Sequence, residues 1–155
     1  MAILTRRNVG MNVFAAAALM SAALSSAATP KPLFAQLGGA KVVAAFVSET
    51  INKVAADPKL NQSFRDVNTT RVKRELTSYI CQIAGGGCIY TGIPIRAVHA
   101  NLGITQAQFF GLVQIMRRAM RQHHVGLGAR NQLLALLAPL EPDVVEVKIR
   151  PPSKK

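Results

Sequence analysis

A chain of 155 residues carrying 19 Lys and Arg against 7 Asp and Glu, a formal charge of +12, has room for one domain with a real core and not for two. Half of it is apolar, yet only 5% is aromatic and Trp is absent, so the core must be aliphatic and leans towards helices packed on helices. The basic residues are scattered and no RNA-binding or zinc-finger signature accompanies them, so the charge reads as a solvated surface and no nucleic-acid partner is expected.

The chain begins with features of a removable leader. Arg6 and Arg7 precede an apolar run from Val13 to Leu24 and a small-residue end, Ser25-Ser26-Ala27-Ala28. That run, about 12 residues, is well short of the ~20 needed to span a bilayer, so no stable membrane insertion is expected. Thr5-Arg6-Arg7-Asn8-Val9 also resembles an incomplete twin-arginine signal, which Gly10 and Met11 fail to complete. Export, and for a bacterial chain the periplasm, is the expectation. The leader holds two arginines and no acid, so its removal leaves +10 of the +12 charge.

Beyond Pro30, Pro32 and the break at Gly38-Gly39, the positions Val42, Val43, Phe46, Val47, Ile51 and Val54 recur at helical spacing and predict a helix over 41–56. Asp57-Pro58 ends it, because proline disfavours helical geometry in the residue before it. A second helix is expected over 70–83, capped by Asn68 or Thr69, with Val72, Leu76, Tyr79, Ile80 and Ile83 on its apolar face. Gly85-Gly86-Gly87 stops it. Pro94 suits the start of a short helix through His99 and Leu102 that Gly103 ends.

Thr105 and Gln108 have the spacing of a capping box and open a long helix. Its expected buried stripe is Phe109, Leu112, Val113, Met116 and Met120, with Arg117, Arg118 and Arg121 in water. Gly126 and Gly128 separate it from a last helix over 129–140. The alternation from Val144 to Ile149 finds no partner strand and reads as an extended tail. The division expected is therefore a leader over 1–28, an all-α domain over 29–145 and a basic tail over 146–155.

No G-x-S-x-G, P-loop or H-E-x-x-H motif is present and no carboxylates pair, so no catalytic residue is assigned. His99 shares its short helix with the apolar positions Ile95, Val98 and Leu102. An imidazole so placed is either a satisfied core residue or a neutral metal ligand, and spacing alone favours the former. His123 and His124, adjacent and therefore on different helical faces, read as surface residues near a helix end. Cys81 and Cys88 flank the glycine run and are either a disulfide across the turn or two buried thiols.

Several fragments in order resemble the group I truncated haemoglobins of the bacterial-like globin family. They are Leu33-Phe34-Ala35-Gln36-Leu37-Gly38-Gly39, the Ala56-Asp57-Pro58-Lys59-Leu60 turn with Phe64, Gly85-Gly86-Gly87, Tyr90-Thr91-Gly92, the run Ile95 to Thr105, and Ala138-Pro139-Leu140. The resemblance covers about residues 33–145 and implies a truncated globin, a two-over-two helical sandwich around haem. It further implies that His99 is the iron ligand, that Phe64 packs on the porphyrin, and that Ile95, Arg96 and Leu102 lie beside it.

The distal side departs from the family's pattern. Ile51 stands where many relatives carry a tyrosine, and Val72 and Leu76 stand where glutamine is common, while Glu75 replaces a basic or histidine residue near the haem edge. Tyr79 or Lys73 is left as a group able to swing into the sixth coordination position. The resemblance thus implies haem as cofactor and a diatomic gas (oxygen, carbon monoxide or nitric oxide) as partner, at an apolar pocket. A redox partner, and nitric-oxide or peroxide chemistry, stay open. The alternative is a haem-free globin that serves as an interaction module.

Overall fold

The computed structural model describes residues 30–146; the expected leader and the tail beyond Glu146 lie outside the described residues. Within it the helices are α1 Leu33–Gln36, α2 Gly39–Ala56, α3 Thr69–Ile83, α4 Ile95–His99, α5 Gln106–Gln122, α6 Leu127–Leu137 and α7 Glu141–Val144. Two 3-10 turns, Asn61–Phe64 and Ala138–Leu140, interrupt the series, and no strand occurs among the described residues. The expected all-α class is what is found.

α2 is the central element, packed against both α3 and α5. That position explains its buried residues, Val43, Phe46, Val47, Thr50, Ile51 and Val54, which cover more of the helix than a single stripe. Thr50 is the buried polar member and donates its hydroxyl to the Phe46 carbonyl one turn back at 2.7 Å. α2 ends at Ala56 because Asp57 is extended before Pro58, and the Asp57 carboxylate accepts the Lys59 N–H at 2.8 Å to start the next turn.

α3 is capped as expected. The Asn68 side chain accepts the Arg71 N–H at 3.0 Å. Ile80 reaches the centre of the core while Val72, Leu76 and Ile83 are only partly buried against it. The glycine stop becomes a closed turn, with Cys81 and Cys88 joined as a disulfide, Cα to Cα 5.6 Å. Gly85 and Gly87 take positive φ, +72° and +77°. Gly86 is needed for space instead: a Cβ there would lie 2.6 Å from both the Cys81 sulfur and the Phe34 ring.

Two expected boundaries shift. α4 ends at His99, since Ala100 is already extended at ψ 137°, so Leu102 belongs to the following turn. The last helix begins earlier, at Leu127, and stops at Leu137; Pro139 and Pro142, which cannot donate to a helical ladder, break the rest into a 3-10 turn and the separate α7. The buried stripe of α5 is displaced as well. Ile115, Met116, Ala119 and Met120 are buried, while Phe109, Leu112 and Val113 are only partly so and Phe110 is 49% exposed. The first half of α5 therefore presents apolar side chains that the polypeptide itself does not cover.

Candidate functional site

α4 is short, apolar and unburied. It begins after Pro94, whose φ of −52° suits a helix start, and its backbone closes with the Val98 N–H on the Pro94 carbonyl at 3.0 Å. Ile95, Ala97 and Val98 are apolar, yet no residue of the helix is buried and Val98 is 44% exposed. The main packing partner of α4 is α7, and Arg96 forms an ion pair with Asp143 there.

His99 closes this helix, and its Nδ1 lies 2.7 Å from the Ile95 carbonyl oxygen one turn earlier. A carbonyl can only accept, so Nδ1 carries the hydrogen and donates it. This bond uses Nδ1 and leaves Nε2 outside it, so Nε2 is the nitrogen the ring could offer to a metal. Sequence spacing contained no hint of this hydrogen bond.

A second apolar surface is left half-covered. Phe64, Val72, Leu76, Ile83 and Leu112 pack against the core cluster that contains Ile51, and all five remain partly exposed. Ile51 itself is 1% exposed and belongs wholly to the core. The predicted residues thus fall in two groups: Ile51, Phe64, Val72 and Leu76 in one apolar cluster, and Ile95, Arg96, His99 and Leu102 along the α4 segment.

The other polar candidates sit elsewhere. Lys73 donates to the Asn52 side chain at 2.7 Å and lines a separate groove of about 450 Å³ with Ala40, Ala44, Ser48 and Thr77. That groove holds none of the predicted site residues, and in this structure Lys73 is turned to Asn52. Tyr79 is also engaged, meeting the Tyr90 ring edge-on at 5.3 Å. Burial raises its hydroxyl pKa and the charge of Asp143 adds to this.

Tyr90, which the sequence marked only as part of the family-like Tyr90-Thr91-Gly92 fragment, ties the loop before α4. Its N–H donates to the Gln82 side chain at 2.5 Å and its hydroxyl to the Ile93 carbonyl at 2.8 Å. His123 is not a free surface residue: it is half-buried and its Nε2 bonds Glu49 at 2.9 Å, whereas His124 is exposed. No group of three or more His, Cys, Asp or Glu that could hold a metal ion occurs among the described residues. What remains is a single histidine, His99, whose own helix also carries Ile95, Ala97 and Val98.

The family model for bacterial-like globins matches residues 32–146. The chain belongs to the bacterial-like globin family. This globin is 27% identical over 117 residues to the group 1 truncated haemoglobin GlbN of Mycolicibacterium paratuberculosis, covering 76% of this chain and 86% of that one. Among solved structures, the truncated haemoglobin of Tetrahymena pyriformis in its Fe(III) form superposes with a TM-score of 0.71 at 17% identity, covering 76% of this chain and all of that one. The group II truncated haemoglobin of Bacillus anthracis gives the same TM-score at 24% identity, covering 81% and 99%. The fold is accordingly the all-α truncated globin fold.

Globins imply haem, whose iron a single protein histidine commonly holds. The residues of this globin fit such a group. The donor is present as an imidazole whose Nε2 is not used by the bond to Ile95, and the apolar side chains left half-exposed on α3, α5 and the Asn61–Phe64 turn have the character a flat, greasy macrocycle requires. His99 would supply the iron ligand, and Phe64, Val72, Leu76 and Leu112 the apolar contacts. Arg96, matched to Asp143, contributes its charge to the seating of α4.

Proposed function

We propose that this globin binds haem through His99 and takes up a diatomic gas in an apolar pocket lined by Val72 and Leu76, with the buried Ile51 behind them. The observation that carries the reading is the Nδ1 hydrogen bond from His99 to the Ile95 carbonyl, which fixes the ring and leaves Nε2 as a donor to metal. When bound, haem supplies iron with a coordination position open to oxygen, carbon monoxide or nitric oxide.

The chain's part is to position, to exclude water and to withhold hydrogen bonds. Ile51, Val72 and Leu76 have no donor, and the one nearby hydroxyl in the α2 core, Thr50, is committed to the Phe46 carbonyl. A ligand that develops negative charge and relies on a distal donor forgoes about 1.5–3 kcal/mol, roughly 10- to 150-fold in affinity. Carbon monoxide, which depends less on such a donor, is held in preference to oxygen, and a slow-releasing oxygen carrier is a poor match.

The test is a spectrum. Purified protein supplied with porphyrin iron is expected to show a Soret band that shifts with carbon monoxide after reduction and disappears in His99→Ala. A folded, colourless protein refutes the reading and favours the haem-free interaction module; pigment retained without His99 refutes the ligand assignment.

Export to an oxidising compartment is proposed with it. The Cys81–Cys88 disulfide supports this, since such bonds persist outside the reducing cytoplasm, and so does the leader-like composition of residues 1–28. Periplasmic fractionation tests the location. Replacement of Arg6 and Arg7 by lysine tests the route, with undiminished export ruling out the twin-arginine path.

A further inference from the structure

We infer that Glu146 is a positioning residue for His99, locking the turn that follows α4 and so the direction in which the imidazole points. The functional half of this inference rests on the haem-binding reading above. The structural half does not.

Beyond His99 the backbone leaves the helix and passes through two left-handed residues, Asn101 at φ +63° and Gly103 at φ +61°. Neither conformation is relaxed for an ordinary side chain; asparagine tolerates it and glycine adopts it freely. A Cβ at Gly103 would meet nothing within 4 Å, so glycine is there for its backbone angle and not for room. Successive N–H groups in such a turn point into a common concavity suited to an anion.

Glu146 is that anion. One carboxylate oxygen accepts the Asn101 N–H and the other accepts the Gly103 N–H at 2.7 Å. The Glu146 N–H in turn donates to the Ile104 carbonyl at 3.0 Å. One residue, 43 positions along the chain from Gly103, thus satisfies two donors and one acceptor of the segment just after His99. Hydrogen bonds to an ionised acceptor are stronger than neutral ones, and two at once fix orientation as well as distance.

The need for this brace follows from α4 itself. Five residues cannot sustain a helix unaided. None of the five is fully buried, and their packing is chiefly on α7, itself part of the C-terminal segment. The ties that remain are polar and come from the C-terminal segment: Asp143 to Arg96, and Glu146 to the turn, with Glu141 accepting from Gln106 at 2.8 Å just beyond. Residues 141–146, which carry none of the predicted site residues, therefore set the seat of the one side chain on which the site depends. Glu146, the first residue of the expected extended tail, is docked on the turn.

The experiment compares the full chain with Glu146→Ala, Glu146→Gln and, as a control acid in an exposed loop, Asp66→Asn. Amide hydrogen exchange of Asn101 and Gly103 in the haem-free protein is expected to quicken about tenfold in Glu146→Ala, the low end of what loss of a hydrogen bond to a charged acceptor costs. Glu146→Gln, which keeps one acceptor oxygen and is the milder change should Glu146→Ala fail to fold, is expected to fall between. In the haem-loaded protein the same variants are expected to release haem to an acceptor globin about tenfold faster and to broaden or shift the iron–histidine Raman band, with Asp66→Asn unchanged in both.

Exchange at the two amides that matches the unaltered chain overturns the inference. So does faster exchange with haem release and the Raman band unmoved, because Glu146 would then stabilise a turn without aiming His99. If the unaltered chain takes up no haem, the functional reading fails alone, and the brace is decided by exchange and by the NMR signal of the His99 Nδ1 proton. Loss of that signal in Glu146→Ala supports it, and an unchanged signal overturns it.

Discussion

His123, at the end of α5, reaches back to Glu49 of α2 with Nε2 2.9 Å from Oε2. The carboxylate can only accept, so this imidazole nitrogen donates. Lys53 binds the other Glu49 oxygen at 2.5 Å and also reaches Gln122 at 3.1 Å, which makes a polar seam along the α2–α5 contact.

That seam predicts an acid sensitivity. The Lys53 hydrogen bond chiefly, together with the Lys53 charge and His123, holds the Glu49 carboxyl below its ordinary value of 4.5 despite an opposing push from burial. A depressed carboxyl contributes stability above its unfolded value and loses it as pH falls through the folded one. Glu49→Gln is therefore expected to cost about 0.5–1 kcal/mol at neutral pH, the range of a partly exposed pair, in urea unfolding. The difference should shrink steadily below the ordinary carboxyl value of 4.5. A gap that persists undiminished at strongly acid pH contradicts the assignment.

The disulfide gives a second prediction. Closing Cys81 to Cys88, seven residues apart, restricts the unfolded chain, and for so short a loop the entropic gain is about 2.5 kcal/mol. Dithiothreitol, or Cys88→Ser, should lower the thermal midpoint correspondingly, with Cys88, the exposed partner, the first point of attack. Unchanged melting under reduction would mean that the Gly85–Gly87 turn is held by its neighbours alone.

The tyrosines can be read directly, because the chain has only two. Burial raises the hydroxyl pKa of both, with Asp143 adding to the effect at Tyr79 and Glu75 at Tyr90. Their neutral forms stabilise the fold below the ordinary value of 10, and that contribution is lost as pH rises through the raised value. Tyrosinate absorbance should appear above pH 10 in the folded protein and return to that value in urea. Tyr90→Phe, which removes the donor to Ile93, should cost about 1 kcal/mol; a normal titration in the folded state would place both rings in water.

The local grammar of the chain carried far into the fold. Asn68 and Thr105 cap α3 and α5 as their residue types demand, Thr105 in a full capping box with Gln108, and Asp57-Pro58 ends α2. What could not be read is tertiary. Apolar periodicity assigned Phe109, Leu112 and Val113 to the core, but whether an apolar face meets protein or is left half-covered depends on elements distant in sequence. Glu146 on the 101–103 turn, Asp143 on Arg96 and Glu49 on His123 join residues 43 to 74 apart, and no spacing rule encodes such pairs. His99 was visible as a candidate; its freed Nε2 was not, because a hydrogen bond to Ile95 also requires the ring to take one rotamer.

The distal pocket offers the sharpest prediction. Leu76 is half-buried on α3 in the same apolar cluster as Ile51, Val72 and Phe64, so Leu76→Gln places an amide donor of nearly equal size where the chain has none. A partly exposed position tolerates the polar head, since water can reach whatever the amide leaves unpaired. If Leu76 faces the gas, the added donor should raise oxygen affinity by about 10- to 150-fold, the worth of one such hydrogen bond, and leave carbon monoxide affinity nearly unchanged. Leu76→Met, equal in bulk and without a donor, separates shape from hydrogen bonding. Dissociation rates of the two gases decide it: a ratio that moves equally in both variants assigns the effect to packing, and a ratio that moves in neither removes Leu76 from the pocket.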